Sequence, residues 1–134
     1  MKQFIIAICC VAMSACTGGN TTDTKTSLGP AEFDEQSKTT AEAILLDVRT
    51  AEEVQSGYIK GAINMDYKRP EFKLLIAGMD KTKPYFVYCL SGMRSGKAAD
   101  FMREQGFEHV MTLDGGIKAW TAAGLPLVTP SPAP

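Results

Sequence analysis

Cys89 is the residue whose type and setting point most directly to chemistry. It sits in Val87-Tyr88-Cys89-Leu90-Ser91-Gly92-Met93-Arg94-Ser95, where an apolar run stops at the thiol. A short loop with a glycine and an arginine follows, and then a helix-like stretch. A thiol at a strand end, faced by loop N–H groups and a helix N-terminus, is placed to be a thiolate. The chemistry suggested is nucleophilic attack by sulfur, with negative charge held on sulfur throughout. Gly92 would let the loop close without a Cβ clash. Arg94 adds fixed positive charge for an anionic substrate. Ser91 and Ser95 offer hydroxyl donors, and Ser95 also suits the N-cap of the next helix.

Three other cysteines bear on whether Cys89 is free. Met1-Lys2-Gln3 followed by the apolar run Phe4 to Met13 reads as an export signal, too short to span a bilayer. Cys9 and Cys10 lie inside that run. Met13-Ser14-Ala15-Cys16 resembles the lipobox of bacterial lipoproteins, which implies lipidation of Cys16 and a chain anchored in the cell envelope, facing the periplasm. Thr17 after Cys16 resembles lipoproteins released toward an outer membrane. A secretory signal cut nearby is the alternative. No disulfide partner then remains for Cys89, and an unpaired thiol in an oxidising compartment favours a functional role.

Without Lys2, 13 of the 14 basic side chains stand against 15 acidic ones. That balance gives no electrostatic case for nucleic acid. Residues 17–27 are Thr/Gly/Asn-rich and read as a flexible tether reaching about 20 Å. Residues 28–127 are long enough for one core without staples. Residues 128–134 form a Pro-rich tail expected to hold no regular pairing.

The elements that must position Cys89 alternate along the domain. Pro30 to Thr39 predicts a helix with Phe33 inward. Ala43 to Val48 predicts a strand buried on both faces. Thr50 to Gln55 predicts a helix opened by a Thr50/Glu53 capping box. Gly61 to Met65 predicts a short strand. Glu71 to Met79 predicts a helix with Phe72, Leu75, Ile76 and Met79 on one face, after Pro70 in its first turn. Tyr85 to Tyr88, Ser95 to Gln105, Val110 to Leu113 and Ile117 to Ala123 follow as strand, helix, strand and helix. This alternation predicts a layered α/β domain with a mostly parallel central sheet flanked by helices, its working loops at the strand C-termini.

Three blocks carry a resemblance. Leu46-Asp47-Val48-Arg49, with Glu53 and Gly57 to Asn64, resembles the opening signature of rhodanese-homology domains. Tyr88 to Ser95 resembles their active-site loop, and Leu113-Asp114-Gly115-Gly116-Ile117-Lys118-Ala119-Trp120 their closing motif. The blocks occur in family order across 28–127. The resemblance implies a single-domain sulfurtransferase that moves sulfane sulfur from a donor such as thiosulfate to cyanide or a thiol through a Cys89 persulfide. The loop Leu90, Ser91, Gly92, Met93, Arg94 and Ser95 would bind the donor, with no dissociable cofactor and no metal. Asp47 and Arg49 read as structural, bonding backbone where the first strand turns into its helix. Four residues separate Cys89 from Arg94, where the known cysteine phosphatases have five, which favours sulfur over a phosphoryl group. Leu90 and Met93 are apolar where many thiosulfate-using relatives carry polar or basic residues, and Tyr58 stands where the family often has histidine. His109 is separated from Cys89 by a helix, which argues against a Cys–His pair. Two other classes stay open: a sulfur carrier serving a protein acceptor, and a non-catalytic interaction module.

Overall fold

Every residue from Tyr85 to Cys89 is wholly buried, and strand alternation explains how all five are accommodated. Tyr85, Val87 and Cys89 join one apolar cluster, and Phe86 and Tyr88 join another. This strand therefore lies mid-sheet with both faces covered, as its unbroken apolar sequence requires.

The structure, a computed structural model, describes residues 26–131. The export signal, Cys16, most of the tether and the last three residues lie outside the described residues. In chain order the elements are β1 (Ser27–Leu28), α1 (Pro30–Thr39), β2 (Ile44–Asp47), α2 (Ala51–Gln55) and β3 (Ile63–Asn64). They continue with α3 (Phe72–Ala77), β4 (Pro84–Tyr88), α4 (Met93–Glu104), β5 (His109–Leu113) and α5 (Gly116–Ala122). All strands pair in parallel, in the order β1-β5-β4-β2-β3. The predicted α/β architecture with a parallel central sheet is the observed one.

One apolar layer, including Leu46, Val87, Phe72, Ile76, Ala98, Ala99 and Met102, joins α3 and α4 to the sheet. The other gathers Phe33, Phe86, Ile117 and Trp120 under α1 and α5. There Phe33 meets the Phe86 ring edge-on at 5.5 Å and Trp120 at 6.5 Å. Connections leave β2 and β4 toward opposite sides of the strand order, so the sheet reverses between these two strands. In parallel sheets that reversal opens a crevice at the strand C-termini. Asp47 pairs with Tyr88 across it, which places the residue after Tyr88 at its floor.

Several boundaries differ from the sequence expectation. Ser27 belongs to β1 rather than to the tether, because the outer edge of β5 takes it up, and the Thr26 carbonyl accepts from the Thr112 N–H at 2.7 Å. Val128 is not free tail: it exchanges N–H···O bonds of 2.9 and 2.8 Å with Tyr58. The third helix is shorter than Glu71 to Met79, with Pro70 lying before its Glu71 N-cap rather than in its first turn. Within it Phe72 and Ile76 are buried in the core, Met79 packs against the same cluster from beyond the helix end, and Leu75 stands 51% exposed. The helix after Cys89 begins at Met93, so Ser95 lies inside its first turn and the N-cap is Gly92.

Candidate active site

The Cys89 sulfur lies at the end of β4, where the chain turns into α4 through Leu90, Ser91 and Gly92. Gly92 takes a left-handed conformation, φ 99°, open to glycine at no steric cost. A Cβ there would find its nearest neighbour at 3.5 Å, so the residue is required for its dihedral and not for room. That dihedral turns the chain into α4 straight after a peptide whose N–H donates to Cys89 Sγ at 3.1 Å. The Ser95 hydroxyl stands 3.4 Å from Sγ and 3.2 Å from the Gly92 carbonyl oxygen. Its single hydrogen serves one of them at a time, and an anionic sulfur is the stronger acceptor. Ser95 therefore acts by facing sulfur rather than by capping.

Burial pushes the Cys89 thiol up. The Ser95 hydroxyl and the N–H groups of Ser95, Gly92 and Ser91 pull it down further, leaving it below the ordinary thiol value. The loop thus aims donors that favour the anionic form at a sulfur buried from solvent. Leu90 is half-buried against the α5 layer, Ser91 is exposed, and Met93 is 72% exposed at the lip.

The closing motif supports the loop from beneath. Gly115 and Gly116 are both left-handed, at φ 73° and 61°. They bring the start of α5 under the loop, where Ile117 N–H donates to the Cys89 carbonyl at 2.9 Å and Lys118 N–H to the Leu90 carbonyl at 3.1 Å. A Cβ on Gly116 would lie 2.6 Å from the Leu90 carbonyl carbon and oxygen and 2.7 Å from the Cys89 oxygen. With those carbonyls held outward against α5, the N–H groups that follow are free to face sulfur. Adjacent glycines beside a helix start were the available signal.

Asp47 and Arg49 build the other wall. Arg49 Nε donates to both Asp47 carboxylate oxygens, at 3.0 and 3.2 Å, and Nη2 donates to Oδ2 at 2.7 Å. Nη2 also donates to the Gly57 carbonyl at 2.8 Å, and Nη1 to the Glu53 carbonyl at 3.3 Å. Breaking so buried a pair typically costs about 3–5 kcal/mol. Arg49 thereby pins α2 to the end of β2. At the start of α2 the capping box is present: Thr50 Oγ1 accepts from Glu53 N–H at 3.3 Å, and Glu53 Oε2 accepts from Thr50 N–H at 3.0 Å.

Glu53 also reaches across the crevice. Its carboxylate accepts from Arg94 Nη1 at 2.8 Å and from Nη2 at 2.7 Å. These hydrogen bonds, with help from Thr50, outweigh burial and hold the carboxyl at about 2. The expected anchor for an anionic substrate is thus engaged by a carboxylate 41 residues away in sequence, a pairing that spacing alone could not reveal. His109 is exposed at the start of β5, the opposite end of the sheet from Cys89. Among the described residues no group of three or more His, Cys, Asp or Glu side chains is arranged to hold a metal ion.

Residues 29–123 match the family model described as a rhodanese-like domain. A sulfurtransferase of Allochromatium vinosum is 34% identical over 91 residues, 68% of this chain and 83% of the relative. The thiosulfate sulfurtransferase PspE of Escherichia coli is 37% identical over 73 residues, 54% of this chain and 69% of the relative. Among solved structures, a rhodanese-related protein of Thermoplasma volcanium superposes with a TM-score of 0.64 at 31% identity, covering 76% of this chain and 96% of that one.

Two outcomes follow from this geometry. Gly116→Ala is expected to displace the Leu90 backbone, raise the midpoint pH of Cys89 alkylation, and cost about 1–3 kcal/mol of stability in urea melts. Glu53, whose folded pKa is depressed, contributes stability that is full above about pH 4.5 and lost as pH falls toward about 2. The difference in unfolding free energy between wild type and Glu53→Gln should shrink across that window by about 1–2 kcal/mol, allowing for solvent screening of a partly exposed pair.

Proposed function

The chain belongs to the rhodanese-like domain family, and from that premise we propose a sulfurtransferase in which Cys89 carries sulfane sulfur as a persulfide. The single observation carrying the reading is the set of N–H and O–H donors converging on Cys89 Sγ, with no histidine at that end of the sheet among the described residues. A general base is not needed where the thiol is already acidified. The Cys89 thiolate attacks the outer sulfur of thiosulfate, the S–S bond breaks, and sulfite leaves with the bonding pair. The persulfide keeps one negative charge, now on the added sulfur, within reach of the same loop donors. Cyanide or a thiolate then attacks that sulfur, giving thiocyanate or a new persulfide and restoring the Cys89 thiolate. Leu90 to Ser95 hold the donor and the developing anion. Relatives named thiosulfate sulfurtransferase support this donor.

Sulfur delivery to a protein acceptor is the second reading, and the 72% exposure of Met93, at the start of the helix after Cys89, favours it. A purely non-catalytic module would have no use for the acidified thiol. We also propose that Cys16 is lipidated and anchors the domain in the cell envelope, on the strength of the Met13-Ser14-Ala15-Cys16 motif.

Intact mass of residues 17–134 after thiosulfate is expected to rise by one sulfur atom in wild type and not in Cys89→Ser, with cyanide reversing the gain. No gain in wild type rejects thiosulfate as donor, and a sulfur already present on purification identifies the carrier. For the anchor, Cys16→Ala is expected to move the expressed protein from the membrane fraction to the soluble fraction; unchanged fractionation rejects lipidation at that residue.

A further inference from the structure

Arg94 is the one cation that the active-site loop itself carries, and both of its terminal nitrogens donate to Glu53. Glu53 is held in place at three points, one on its carboxylate and two on its backbone. Thr50 N–H donates to its Oε2, Thr50 Oγ1 takes its own N–H, and Arg49 holds its carbonyl. Its partner is equally constrained, since Arg94 lies in the first turn of α4. The pair is largely withdrawn from solvent, with side chains 18% and 26% exposed. Arg94 is raised above its ordinary value by Glu53 first, burial opposing, and then by the charges of Cys89 and Asp66. Its field therefore reaches the sulfur, and a second carboxylate lies within range of it.

From this arrangement we infer that Glu53 is a positioning residue that neutralises Arg94 and thereby sets the charge of the sulfur donor the site accepts. The inference rests on the sulfurtransferase reading and deepens it. A guanidinium free to face the crevice would favour a dianion such as thiosulfate. One locked bidentately to a carboxylate presents almost no net charge, and its field falls off as that of a dipole. Leu90 and Met93 add no charge around the mouth. Thiosulfate is then a donor that the site takes at a penalty, and sulfane donors of lower charge, such as organic thiosulfonates or persulfides, react with it more readily.

Two measurements separate this from the sulfurtransferase reading itself. The first compares kcat/KM for thiosulfate, a dianion, with that for benzenethiosulfonate, a monoanion offering the same sulfane sulfur. Glu53→Gln keeps the side chain's size and removes its charge. It is expected to raise the thiosulfate-to-benzenethiosulfonate ratio by about threefold to tenfold, chiefly through KM, as expected for one uncompensated charge near a partly solvated site. Glu53→Asp should keep the wild-type ratio, and Arg94→Gln, which leaves the carboxylate uncompensated, should lower it. The second compares alkylation of Cys89 by anionic iodoacetate and neutral iodoacetamide, a ratio that reports the local potential without sulfur transfer. It should move in the same directions. A folded Glu53→Gln that loses rate on both donors equally, with an unchanged alkylation ratio, overturns the inference and leaves Glu53 a structural residue. An unchanged ratio in Arg94→Gln overturns it as well. If wild type transfers no sulfur from either donor, the sulfurtransferase reading falls and the alkylation ratio alone decides the role of Glu53.

Discussion

A sulfur anion removed from water must be solvated by the protein, and the backbone can do this only with its N–H groups. Each N–H in a tight loop comes with a carbonyl that would repel the same charge, so the loop works only if its first carbonyls are bonded elsewhere. Here the Cys89 and Leu90 carbonyls are taken by the first free N–H groups of α5. That solution requires α5 to start almost in contact with the loop backbone, which requires Gly116. The parallel order β5-β4-β2, the short left-handed turn after β5, and the placement of Trp120 in the layer beneath all serve that approach.

Charge-assisted hydrogen bonds span the end of the sheet where β2 and β4 meet. A relay of charge-assisted bonds runs from Asp47 to Arg49, from Arg49 to the Glu53 backbone, and from the Glu53 carboxylate to Arg94. Each link fixes the next, so strand β2 orients a side chain on α4 without touching it. Such a network is costly to interrupt because each member would be left desolvated without its partner. Tyr88 strengthens the same wall: its ring lies 5.7 Å from the Arg49 guanidinium carbon, and its hydroxyl oxygen accepts from Ile59 N–H at 3.1 Å.

Much of this was legible in the residues. The unbroken apolar run ending at Cys89 announced a central strand, and Thr50 with Glu53 announced a capped helix, because both signals are local and backed by strong physical preferences. What escaped was non-local. Ser27 and Val128 pair with distant strands and loops through backbone atoms, which carry no side-chain signature. Glu53 looked complete as a capping residue, and its second role depends on where the fold brings Arg94. Ser95 matched a cap by type, but a left-handed Gly92 whose N–H faces sulfur began the helix earlier. Leu75 had the spacing of a buried face on a helix too short to bury it.

The C-terminal segment is tied by hydrogen bonds toward the strand that ends at Cys89. Trp120 Nε1 donates to the Pro126 carbonyl at 3.0 Å, and two residues later Val128 is laced to Tyr58. Ile59, the next residue, donates to the Tyr88 hydroxyl, and Tyr88 precedes the sulfur-bearing residue. Val128 is therefore joined to β4 through two hydrogen-bonded links, Val128 with Tyr58 and Ile59 with Tyr88. The segment at Val128 thus works as a hasp on the strand that ends at Cys89, holding it from outside the sheet.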